Sequence, residues 1–153
     1  MTTESTITGP EITGAEIRMH RTVAWNETDA AGHNHFTAAF RWMEEAEHQL
    51  YRALGFATEV IDRVPRVHIE IDYADRLYFG QPIEVVVGVV RVGSSSCAFA
   101  FRVVEESGTV AMRGTYVIVH TASTSTGGAP WPEPLRSALS TPGVHVVRTI
   151  ADS

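Results

Sequence analysis

Residues 23–55 read VAWNETDAAGHNHFTAAFRWMEEAEHQLYRALG, and the stretch changes character partway. Positions 26–34 are polar and contain Gly32, with Asp29 near their centre; beyond them the apolar residues recur with the helical period. At about 100° per residue, Phe36, Ala39, Phe40, Met43, Ala46, Leu50, Tyr51 and Leu54 share one side, and Arg41, Glu44, Glu45, His48 and Arg52 hold the other. Ala, Leu, Met, Glu and Arg favour helix, and Gly55 follows where a residue of positive φ is wanted. The spacing predicts a helix over 37–54, about 27 Å long. Glu47 falls on its apolar side, where an unpaired charge is costly, so a partner is expected, such as an arginine across a dimer.

Outward from the helix the period changes to two. Ile17, Met19, Val23 and Trp25 alternate with Arg18, His20 and Thr22, a half-buried strand over 16–25 that Arg21 interrupts. On the other side, Val67, Ile69, Ile71 and Tyr73 alternate with His68, Glu70 and Asp72. Gly80-Gln81-Pro82 and Gly93-Ser94-Ser95-Ser96 are turns around the Val-rich run 83–92, and two further strands, 97–105 and 109–121, meet at Glu106-Ser107-Gly108. This makes an α+β domain of five strands over 15–122, its single helix lying on one sheet face. Residues 1–14 are expected to form a flexible arm, and 123–153 a C-terminal extension on or near the domain. The run 85–90 is apolar on both parities apart from Gly88, so one helix does not bury it, and a homo-oligomer is expected.

Composition narrows the function classes. With 12 Lys or Arg against 18 Asp or Glu among 153 residues, the net charge of −6 argues against a nucleic-acid binder. No run approaches the roughly 20 apolar residues of a membrane span. A single cysteine, Cys97, excludes an internal disulfide, and residues 1–10 are polar with no apolar run, so the expected location is cytoplasmic.

The loop ahead of the helix holds the chemistry. Asp29 lies near the orphan N–H groups of the helix start at Phe36, Thr37 and Ala38. A carboxylate beside an electropositive helix end suits acyl transfer, although an Asp in a glycine-containing loop is also an ordinary turn former. Here a resemblance bears on the choice. Residues 23–55, with D-x-x-G before a helix carrying R-W-x-E-E-A, and the later IDYADRLYFGQPIEVVV resemble the hotdog-fold thioesterases of the 4-hydroxybenzoyl-CoA thioesterase type. It covers about 17–121.

That resemblance implies a hotdog fold: a curved antiparallel sheet around one long helix, dimeric or tetrameric, with sites between subunits. The implied activity is hydrolysis of an acyl thioester, from coenzyme A or an acyl-carrier protein. Asp29 would be the nucleophile or general base, the Phe36 N–H the oxyanion donor, and Gly32 the residue permitting the tight backbone between them. His35, Thr37, Ala39 and Arg91 would touch substrate, Arg91 standing just before a neutral turn where relatives carry basic residues. Relatives also carry a larger side chain at Ala39, so its loss should enlarge a pocket under the helix. Coenzyme A enters as part of the substrate; no metal or redox cofactor is called for. Two other readings stand beside this one. One is a non-catalytic acyl-thioester binder; the other is a hydratase or dehydratase drawing on His68 and Glu47. A metal site at His33 and His35 with Glu44 or His48 lacks recognised ligand spacing, and no G-x-S-x-G or phosphate-binding loop occurs.

Overall fold

A computed structural model describes residues 9–123 and 127–149. Strand β1 (Ala15–Thr22) leads through a one-turn 3-10 helix (Trp25–Glu27) into helix α1 (Ala38–Leu54) and a short α2 (Ala57–Val60). Then come β2 (Arg66–Tyr73), β3 (Pro82–Val92), β4 (Ser96–Glu105), β5 (Val110–Val119), α3 (Leu135–Ser140) and β6 (Gly143–Arg148). The sheet order is β2-β5-β4-β3-β1-β6, antiparallel throughout except that β6 runs parallel to β1.

Six strands therefore replace the expected five. The sixth is short and pairs with the first strand of the chain, with Ile17 opposite His145, a contact that local periodicity cannot announce. Residues 127–149 also bury Trp131, Leu135 and Leu139 in the core, and the Trp131 indole N–H donates to the Ser96 carbonyl at 2.9 Å. Of positions 1–14, residues 1–8 lie outside the described residues. The Thr13 and Gly14 amides donate to the Val89 carbonyl at 2.8 and 3.0 Å. Among the described residues, no helix is long and apolar enough to cross a membrane.

The core forms between α1 and one face of the sheet. Ala15, Ile17 and Met19 of β1, Val85, Val87 and Val89 of β3, and Phe99, Phe101 and Val103 of β4 meet Trp42, Met43, Ala46 and Leu50 of α1. The helix starts at Ala38 with Thr37 as its N-cap, and Gly55, at φ 85°, donates its N–H to the Tyr51 and Arg52 carbonyls. Its apolar stripe is narrower than the projection: Phe36 and Phe40 are exposed. Trp25, expected in the first strand, is also exposed, because that strand ends at Thr22. Arg21 breaks the alternation because its side chain turns inward, bonding Glu27 at 2.6 Å and Glu45, with its guanidinium over the Trp42 ring. This ties the end of β1 to α1 and sets where the intervening loop leaves the sheet.

The second apolar face of 85–90, expected to need another subunit, is closed within the chain. A Cβ on Gly88 would lie 2.5 Å from Ile12 Cδ1, and Val86 is buried with Arg18 and Arg102 as its cross-strand neighbours. Their aliphatic stems can cover apolar surface while the charges stay in water. Apolar surface instead remains open on edge strand β2, at Val67, Ile69 and Tyr73.

Candidate active site

The loop before α1 is a tight, self-bonded turn. Thr28 and Asn34 pair across it; the Asp29 N–H donates to the His33 carbonyl at 3.1 Å, and the Gly32 N–H returns to the Asp29 carbonyl at 2.9 Å. Gly32 sits at φ +88°, where a side chain would be strained. The Asp29 carboxylate accepts the Ala31 N–H at 2.9 Å through one oxygen. It is exposed, which leaves the other oxygen free to meet a ligand.

A second loop braces the first. Asn34 is buried: its N–H donates to the Leu77 carbonyl at 2.7 Å, and its Oδ1 accepts the Leu77 N–H at 2.9 Å. This reciprocal pair fastens 29–36 to the segment following β2. Between the two lies an open cleft of about 380 Å³ lined by Asp29, His33, Asn34, Phe36, Tyr73, Ala74, Asp75 and Arg76. The Phe36 N–H, like that of His33, has no acceptor among the described residues, while the Phe36 carbonyl accepts the Tyr73 hydroxyl at 2.6 Å. Partial burial raises the Tyr73 phenol above its ordinary range, so it remains a donor.

The sequence-expected residues separate into groups. Asp29 and Phe36 share the cleft, and Gly32 shapes its turn. His35 and Thr37 face a neighbouring hollow of about 260 Å³ with Asn26, Glu27, Thr28, Ala38 and Arg41. There the Thr37 N–H donates to His35 Nδ1 at 3.1 Å, which makes that nitrogen an acceptor. Ala39 is fully buried in the core and lines neither hollow. Arg91 is exposed near the end of β3 opposite Pro82, whereas the Asp29 loop leaves β1 beside Pro82. Tyr73 and Asn34 do not stand out in the sequence. Tyr73 reads there as one more member of an alternating strand, and Asn34 as a loop residue.

Glu47 is a carboxylate of another kind. Its side chain is wholly buried, and its Oε1 accepts Arg66 Nη2 and the Tyr116 hydroxyl, each at 2.8 Å; Tyr51 donates to Oε2. The expected arginine thus comes from β2 of the same chain, not from across a dimer. Burial, then the Glu47 charge, pushes both tyrosines well above their ordinary range. His68 is exposed and 3.1 Å from Glu70, so the His68–Glu47 pairing a hydratase would use does not form. Among the described residues, no cluster of three or more His, Cys, Asp or Glu side chains is placed to hold a metal ion.

Comparison with known proteins yields concordant matches. A family model described as "Thioesterase-like superfamily" matches residues 23–139. A 1,4-dihydroxy-2-naphthoyl-CoA hydrolase of Prochlorococcus marinus (strain NATL2A) is 32% identical over 96 residues, 55% of this chain and 62% of that protein. The chain thus spans less than two thirds of that relative's length. Among solved structures, a predicted thioesterase from Bacillus stearothermophilus superposes with a TM-score of 0.73 at 25% identity, covering 84% of this chain and 99% of that one. A gentisyl-coenzyme A thioesterase gives a TM-score of 0.72 at 25% identity, covering 80% and 99%. The fold is the hotdog fold.

Proposed function

From the premise that this chain belongs to the thioesterase-like superfamily, we propose that it hydrolyses an acyl thioester, with coenzyme A as the thiol, at the Asp29 cleft. The observation that carries this reading is an exposed carboxylate, Asp29, lining one cleft with Phe36, whose backbone N–H has no acceptor among the described residues. A thioester carbonyl oxygen placed on that N–H gains charge stabilisation as the tetrahedral centre forms. Asp29 then acts in one of two ways. As nucleophile, its free oxygen attacks the carbonyl carbon, the C–S bond breaks and the thiolate leaves to be protonated. Water cleaves the resulting mixed anhydride, releasing the acid and restoring the carboxylate. As general base, Asp29 takes a proton from the water that attacks the carbonyl directly, and the thiolate again departs. Carboxylate, amide and water complete the chemistry in both.

Aromatic acyl groups are the first substrates to try, because the relatives named above act on naphthoyl and gentisyl thioesters. An acyl-carrier protein is the other thiol donor this reading admits. The same reading includes a homodimer, or a tetramer of two such dimers, joined where β2 leaves Val67, Ile69 and Tyr73 open. It also includes a cytoplasmic location, consistent with the free, buried Cys97.

The test is release of free thiol from a panel of acyl-CoAs, aromatic to aliphatic, by the wild type, Asp29→Asn and Asp29→Ala. Turnover lost in both variants supports the reading. Turnover that survives both moves the chemistry elsewhere, and tight acyl-CoA binding with no thiol release identifies a binding protein instead.

A further inference from the structure

An oxyanion donor works only if it is already in place when the charge develops. The Phe36 amide belongs to the His35–Phe36 peptide unit, which is tied at its carbonyl end, where the His35 oxygen accepts the Ala38 N–H at 2.9 Å. Phe36 precedes α1 by two residues, so the helix's regular hydrogen bonds do not include it; the residue is 62% exposed, and its ring stacks on the neighbouring His35 ring. The residues before it are tied by backbone bonds: Asn34 to Leu77, and His35 to the Glu27 carbonyl at 2.8 Å. The following unit, Phe36 C=O to Thr37 N–H, is held at both ends, by the Tyr73 hydroxyl on the carbonyl at 2.6 Å and by His35 Nδ1 accepting the N–H at 3.1 Å; of these, the Tyr73 bond comes from outside the loop.

Resting on the hydrolysis reading above, we propose that Tyr73 is a positioning residue for the oxyanion amide. By gripping the Phe36 carbonyl, Tyr73 restrains the peptide unit on the far side of the Phe36 Cα, and together with the Ala38–His35 bond on the near side this keeps the N–H directed at the cleft. The hydroxyl comes from the last residue of β2, opposite Met112 of β5, so the grip is mounted on a paired strand and not on a second loop. A phenol is well matched to such a grip, being long and rigid and carrying a single strong donor. The bond lies outside the path of bond making, so Tyr73 acts through Phe36 and without needing to touch the reacting carbonyl. Displacement of a catalytic group by about 1 Å can cost on the order of 10²-fold in rate.

The experiment compares Tyr73→Phe with the wild type and Asp29→Asn in the thiol-release assay, using the full-length chain and its best acyl-CoA from the panel. The expected result is a kcat lower by about 10- to 100-fold with KM unchanged, since the ring and the cleft wall are retained. The Thr37 amide, which shares its peptide unit with the Phe36 carbonyl, should also shift in a proton–nitrogen correlation spectrum of the free protein. A raised KM with unchanged kcat would make Tyr73 a wall of the cleft and overturn the assignment, as would kinetics identical to wild type. If Tyr73→Phe does not fold, a fluorinated tyrosine of lowered phenol pKa at position 73 replaces it. Its ionised form cannot donate, so kcat should gain an extra alkaline fall, and an unaltered pH profile overturns the assignment. Failure of the hydrolysis reading has a different signature: Asp29→Asn turns over like wild type, or wild type does not turn over at all.

Discussion

Two carboxylates of this chain, Asp29 and Glu47, occupy opposite environments, and the contrast separates reactivity from stability. Asp29 is exposed on a turn, and its side chain accepts one backbone N–H. Glu47 is wholly buried under the sheet, with two tyrosine hydroxyls and one guanidinium committed to it. A carboxylate buried away from solvent, with three donors already on it, is closed to a substrate. One held at a single oxygen by a neighbouring amide is oriented and still available. On the proposed function the chemistry belongs to the loop and the cohesion to the helix–sheet layer, although both groups are acids and lie only 18 positions apart.

The largest expected effect breaks the buried side of this contrast. Glu47→Ala should destabilise the fold by about 3–5 kcal/mol, because the Arg66 charge and two buried hydroxyls lose their acceptor. Chemical denaturation measures this, and activity per folded molecule should survive. A small loss would mean that water or rearrangement satisfies the donors. Asp29→Asn is the converse. It should lower kcat by about 10²-fold, about 2.7 kcal/mol of barrier, while the denaturation midpoint stays near wild type. A substantial stability loss there would mark Asp29 as a structural turn former.

Asn34→Ala tests the brace between the two loops. It leaves the buried Leu77 N–H unpaired, at a cost of about 1–3 kcal/mol, and should depress kcat as well, since Asp29 and Phe36 flank that brace. If stability falls and kcat does not, the cleft holds its shape without it. The smallest effect concerns Cys97. Burial, then the Glu47 charge, pushes its thiol up to about 12, so it stays protonated in the fold at a pH where an unfolded thiol, of pKa about 8.5, has ionised. The folded state binds more protons between those values. Its contribution to stability is therefore intact below the unfolded pKa and lost as pH rises through that window. Cys97→Ala should reduce the alkaline decline in the denaturation midpoint slightly, and native wild type should resist alkylation at pH 8.

How far each part was legible follows the range of the interactions involved. The helix, the turn at Gly32 and the position of Asp29 rest on periodicity and turn chemistry within a few residues, and the structure places them within a residue or two of expectation. Phe36 and Phe40 show where a helical projection overreaches, since it gives the direction of a side chain and not whether anything stands there to cover it. Ala39 shows the same from the other side: a small residue on the apolar face became core, not pocket.

By itself the sequence determined the local frame: one long helix after a polar loop, valine-rich strands between glycine turns, and an acidic residue seven positions ahead of Phe36. Only the tertiary structure decided which groups meet. Glu47 meets Tyr116 from 69 positions away, β6 joins β1 across nearly the whole chain, and the Tyr73 hydroxyl reaches the Phe36 carbonyl over 37 positions. Periodicity reports on neighbours along the chain, whereas these contacts are set by sheet order and register, through which packing brings distant polar groups within hydrogen-bonding reach.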